Sequence, residues 1–182
     1  MMDERRESRI SHDRIYSGRV VTLDIDRVSL PDGSETVREV VRHPGAVVVL
    51  PILGDGRIVF VRQYRYPTGQ ELYELPAGTL EDGEDEESCG ARELIEETGW
   101  RAGSLRRLGS FFSTPGFSDE ILHPMLATGL IPAEGGARPD PDEWIQPVKM
   151  TVDEAFEHAC SGGLRDGKSL ATLFLARLHG HI

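Results

Sequence analysis

Residues 78–100 read GTLEDGEDEESCGARELIEETGW, and everything else in the chain is interpreted from this stretch. Its second half carries helix signals at both ends. Asp85 is placed to cap, Glu86 and Glu87 suit the positive end of a helix dipole, and Gly99 stands where a helix would stop. The spacing predicts a helix over 86–98. At about 100° per residue, Glu93 and Glu97 lie ~40° apart on one face, with Glu96 ~60° from Glu93 on the other side. Like charges four residues apart destabilise a helix by about 0.2–0.5 kcal/mol. A divalent cation is the natural reason to keep them, because Mg²⁺ takes carboxylate oxygens and completes its shell with water and phosphate. Ala91, Leu94 and Ile95 are expected to face the core, leaving the acids to a cleft. Arg92 can hold a carboxylate through two parallel hydrogen bonds. A solvated acidic helix shows the same periodicity, so the discriminating feature is the fixed spacing over the whole stretch.

Upstream, Val20, Leu23, Ile25 and Val28 alternate with polar residues, Pro31-Asp32-Gly33 signals a turn, and Thr36 to Val41 reads as a return strand. Residues 1–9 are charged and expected to be loose. An antiparallel β-meander is therefore expected within 1–43, with the main domain over 44–182. Ala46 to Leu50 and Ile58 to Arg62 read as strands flanking a Gly54-Asp55-Gly56 turn, and Glu74 to Gly78 as a loop. Beyond the acidic helix, strands are expected near 105–112, 121–127 and 144–150. Thr151-Val152-Asp153-Glu154 is a capping box opening a second helix that ends at Gly162-Gly163. Leu170, Leu173, Phe174 and Leu178 mark the expected apolar face of a third. Interleaved strands and helices make the fold α/β with a mixed sheet between helices.

Composition narrows the function. The 182 residues carry 20 Lys+Arg against 31 Asp+Glu, a net charge of −11. That argues against a nucleic-acid backbone as partner but not against a phosphorylated small molecule, since a bound metal reverses the local sign. The longest apolar run, Ala46 to Leu53, is far too short to span a membrane, and no signal-peptide pattern opens the chain. The expected compartment is the cytoplasm. Cys89 and Cys160 form neither a disulfide framework nor a zinc pattern. His43, His158, His179 and His181 show no ligand spacing and read as surface residues.

The spacing Gly78, Glu84, Arg92-Glu93-Leu94-Ile95-Glu96-Glu97-Thr98-Gly99 resembles the Nudix box, with Trp100 where an aliphatic residue is usual and Gly90 where Ala is common. The resemblance implies a Nudix-type α/β/α sandwich and hydrolysis of a nucleoside diphosphate linked to another group. It implies that Glu93 and Glu97 are the principal metal ligands, with Glu96 close by and the Ala77 carbonyl contributing. Mg²⁺ is the implied cofactor, with Mn²⁺ able to substitute.

Four further pieces resemble the ADP-ribose pyrophosphatase branch: Arg62 to Tyr66, Glu71 to Gly78, Ser113 to Glu120 with Pro115 standing 15 residues beyond Trp100, and the N-terminal meander. The branch implies a homodimer through the N-terminal strands, and substrate contacts from Arg62 or Arg65 and from Glu120. It also implies a late acidic loop carrying a glutamate base. Here that loop reads Asp140-Pro141-Asp142-Glu143, with Pro141 at the base position and Glu143 at a metal-contact position. Proline takes no proton, so either Glu143, Asp142 or Asp140 takes over, or the base is a box carboxylate such as Glu96 or Glu97, or the activity differs from the branch norm. The implied reaction is Mg²⁺-dependent cleavage of ADP-ribose to AMP and ribose 5-phosphate. The rivals are hydrolysis of another nucleotide sugar, such as a GDP-hexose, and nucleotide binding without turnover.

Overall fold

The structure is a computed structural model that describes residues 5–139, 141 and 143–182. The chain divides into two compact units, one running up to Pro44 with Phe112–Ile121, the other comprising Gly45–Phe111 and Leu122–Ile182.

In the first unit β1 (Ser8–Ser17), β2 (Thr22–Ser29) and β3 (Glu35–Arg42) form an antiparallel sheet in that order. The sheet starts earlier than expected: residues 8 and 9 are strand, not loose chain. All ten side chains of β1 are exposed, so no apolar alternation announces it. Charge holds it instead. Opposite it, β2 buries Asp24 and Asp26. Arg14 Nε donates to Asp24 at 2.9 Å, His12 Nδ1 lies 2.9 Å from Asp26, and Arg42 donates to Asp24 at 2.9 Å and Asp26 at 2.7 Å. The Arg14 guanidinium, seconded by Arg42, holds the Asp24 carboxyl at about 2 against the opposing effect of burial.

In the second unit the strands are β4 (Ala46–Pro51), β5 (Ile58–Arg65), β6 (Gln70–Glu74), β7 (Ala77–Thr79), β8 (Trp100–Arg101), β9 (Ser104–Arg107), β10 (Phe111–Phe112), β11 (Ile121–Thr128), β12 (Ile131–Pro132) and β13 (Ile145–Met150). The helices are α1 (Glu86–Thr98), α2 (Val152–Ser161) and α3 (Gly167–Leu178). Strand β4 is central, parallel to β11 and antiparallel to β7, while β13, β5 and β6 form a second, antiparallel sheet. Period two divides β4 between two cores. Val47 and Val49 pack with Cys89 and Leu94 of α1, whereas Ala46, Val48 and Leu50 pack with Phe60, Ala155 and Leu173. Helix thus lies on both sides of a mixed sheet, the α/β/α sandwich.

Local capping chemistry acts where the residues predict. Asp85 accepts from Ser88 N at 2.8 Å, Gly99 takes the left-handed conformation at φ +72°, and the Thr151–Glu154 capping box is closed in both directions. Four expectations need correction. Helix α1 buries Cys89, Gly90, Leu94 and Glu97 rather than Ala91 and Ile95, which are half-buried. Leu173 is buried as expected and Leu170 packs on the core, but Phe174 and Leu178 are 61% and 65% exposed, and Ser169, Thr172 and Ala176 are buried beside Leu173. Small polar residues let that helix sit close to its neighbours, so hydropathy misreads part of the face. The segment 70–79 is two short strands broken at Leu75-Pro76, not one loop. His158 is half-buried, its ring edge-on to Tyr73 at 5.5 Å.

Gly90 is buried where α1 packs on the sheet. A Cβ there would stand 3.2 Å from both Met125 Sδ and Val47 Cγ1. Gly90→Val is therefore expected to overpack this layer and cost about 1–3 kcal/mol. Calorimetry should find a lowered Tm; an unchanged Tm would show that the layer has slack.

Candidate active site

Strand β7 and helix α1 build the site together. Pairing with β4 sets Gly78 opposite Val47 and Ala77 opposite Val48. The Glu93 side chain lies directly on Gly78: a Cβ at Gly78 would fall 1.7 Å from Glu93 Oε1. Only glycine permits that contact. One turn on, Glu97 Oε2 accepts a 3.2 Å hydrogen bond from Ala77 N. Two residues of one strand therefore meet two carboxylates of one helix face.

Arg92 organises the remaining acids. Its Nε and Nη2 donate to the two oxygens of Glu84 at 2.9 and 3.0 Å, and its Nη1 donates to Glu93 at 2.6 Å and Glu96 at 3.1 Å. The paired guanidinium holds the Glu84 carboxyl at about 2. Glu97 is in the opposite condition. It is 4% exposed, and burial, with Glu93 and Glu143 adding like charge, pushes its carboxyl up to about 8. Burial also raises Glu93. Glu143, exposed on its loop, is near enough to bear on both box carboxylates. Asp140 and Asp142, the other acids of that loop, lie outside the described residues. Cys89 is buried beneath the site, and desolvation pushes its thiol up to about 12, so it is not a nucleophile at neutral pH.

The donor set suits Mg²⁺. It offers carboxylate oxygens, and Glu97 is buried and Glu93 half-buried where ionisation is unfavourable without a cation. Among the described residues no three acidic, His or Cys side chains already form a closed cage. Mg²⁺ does not need one, because it keeps waters and substrate phosphates in its shell.

The remaining candidates are distributed as follows. Arg62 is on β5 and donates to Gln146 Oε1 at 2.7 Å. Arg65 turns to the other face of that strand and grips Glu74 with two hydrogen bonds of 2.7 and 2.8 Å. Glu120 belongs to the first unit, where it lies 3.6 Å from His43 Nδ1. Sequence reasoning passed over Glu74, Asp166, Lys168 and Ser169. Glu74 is buried in a lead-in that had been read as loop, and Lys168 contacts it across 94 residues, a separation no spacing rule detects.

This combination of sandwich, glycine-seated glutamate and buried second glutamate has a family. A domain profile described as NUDIX matches residues 41–171, and the chain belongs to that family of hydrolases. Among curated relatives, an ADP-ribose pyrophosphatase of Bacillus subtilis is 39% identical over 168 residues, covering 92% of this chain and 91% of that one. A methanol dehydrogenase activator of Bacillus methanolicus is 44% identical over 164 residues, covering 90% and 89%. A GDP-mannose pyrophosphatase of Escherichia coli is 31% identical over 185 residues, covering 92% and 91%. A solved structure described as an ADP compounds hydrolase superposes with a TM-score of 0.85 over 97% of each chain at 20% identity, a likeness of fold.

Proposed function

We propose that this chain hydrolyses the pyrophosphate of ADP-ribose to AMP and ribose 5-phosphate with Mg²⁺, Mn²⁺ serving as a substitute. The observation that carries the reading is the meeting of Ala77 and Gly78 with Glu97 and Glu93 in a box whose acids are all present. The ADP-ribose pyrophosphatases among the relatives support the choice of substrate. Glu93, Glu97 and the Ala77 carbonyl would hold the metal, with Glu96 and Glu143 beside them. Bound Mg²⁺ neutralises the diphosphate and lowers the pKa of the attacking water. Arg92 keeps the acids apart and oriented. A carboxylate takes the water's proton: Glu143, exposed beside the box, is the candidate on the loop, with Glu96 and Glu97 as box alternatives. Arg62 or Arg65 would position the diphosphate and its ring system, and Glu120 is the further substrate contact proposed.

The assembly we propose is a cytoplasmic homodimer through the N-terminal strands. Exposed Tyr16, Val20, Val21 and Val37 support it, as apolar side chains a second copy would cover. No described helix is long and apolar enough to cross a membrane.

The test is chromatographic product analysis with Mg²⁺. AMP from ADP-ribose is the expected result. GMP from a GDP-hexose with no AMP from ADP-ribose would favour the nucleotide-sugar alternative, and binding without any product would favour a sensor.

A further inference from the structure

The first turn of α3 contacts the chain just before the metal-side strand. Lys168 Nζ contacts Glu74 Oε2 and lies 3.0 Å from Asp166 Oδ2. Arg65 closes the other side of Glu74. One residue further, Ser169 Oγ donates to Asp166, the N-cap of α3, and accepts from Leu75 N at 2.6 Å. Glu74, Leu75 and Ser169 are all buried. These two attachments hold residues 74 and 75, and Pro76 passes the constraint stiffly to Ala77. Ala77 N then donates to Glu97.

We infer that Lys168 and Ser169 are positioning residues, clamping the Glu74–Ala77 segment so that the Ala77 carbonyl and the Glu97 carboxylate keep a fixed separation for a divalent cation. The inference rests on the box being the metal site. Lys168 touches neither metal nor substrate in this scheme; it acts through Glu74. A buried acid between two cations is also a rigid one, since both of its oxygens are engaged. Outer partners that orient a ligand typically alter metal affinity by about 10–100-fold when removed.

The experiment measures Mn²⁺ binding by electron paramagnetic resonance, without substrate, in wild type, Lys168→Met, Lys168→Arg and Ser169→Ala. Lys168→Met and Ser169→Ala should bind Mn²⁺ about tenfold or more weakly. The Mg²⁺ needed for half-maximal turnover should rise by a similar factor, while KM for nucleotide at saturating metal stays near wild type. Lys168→Arg should recover most of the loss. A merely structural clamp would lower Tm and leave Mn²⁺ affinity in place, and that result in folded variants would overturn the inference. If Lys168→Met does not fold, Ser169→Ala decides, since it keeps every charge. Wild type that binds Mn²⁺ yet spares ADP-ribose would count against the proposed substrate and leave the metal comparison intact. Wild type that binds no Mn²⁺ would overturn both.

Discussion

Glu97→Gln should reduce pyrophosphate hydrolysis by at least about 10³-fold while leaving the fold intact. Glutamine keeps the shape of the buried acid and an oxygen to accept from Ala77 N, but offers no anionic oxygen to a cation or a proton. The metal-free protein adds a second readout. The folded carboxyl of Glu97 is raised to about 8, above the ordinary 4.5, so the folded state holds a proton that the unfolded chain releases first. Stability from this group is complete below about pH 4.5 and is lost as the pH rises toward 8. Denaturant midpoints in chelator, measured from pH 5 to 8, should therefore decline in wild type. The decline should be smaller in the variant. Near-normal turnover in Glu97→Gln, or parallel pH profiles, would remove Glu97 from the role assigned to it.

Gly78→Ala should lower kcat/KM by about 10²-fold with little change in Tm. The new Cβ would occupy the place of the Glu93 carboxylate, 1.9 Å from its Cδ. The end of a flexible side chain can swing away, so the fold survives. The carboxylate cannot do so and still share a cation with Glu97. Steady-state kinetics over a Mg²⁺ series would show the defect as a raised metal requirement. Wild-type kinetics would mean that Glu93 reaches its working position from elsewhere.

What could be read from the chain depended on the range of the forces involved. Helix α1 runs from Glu86 to Thr98 as predicted, because Asp85 and Gly99 act within one turn of its ends. The gathering of Glu93 and Glu96 on Arg92 follows from helical spacing, and the structure adds that Glu97, the most buried of the three, meets Ala77 N instead. Gly90, standing where Ala is common, serves the packing of α1 on Val47 and Met125. Strand β1 carries no apolar signal because its partners are ionic, and hydropathy marks Leu170 and Leu173 of α3 correctly but not Phe174, since Ser169 and Thr172 take buried places. The Lys168–Glu74 contact needed the fold itself, since two distant segments must first be brought together.

The N-terminal sheet is built like a small salt crystal, in which both buried anions have more than one counter-ion. Asp24 is shared by Arg14 and Arg42, Asp26 by His12 and Arg42, and Arg42 also reaches Asp119 at 3.1 Å. Cohesion of that kind is collective. Removing Arg42 still leaves Asp24 with Arg14 and Asp26 with His12, and on that face β2 buries two carboxylates beside one apolar side chain, Val28.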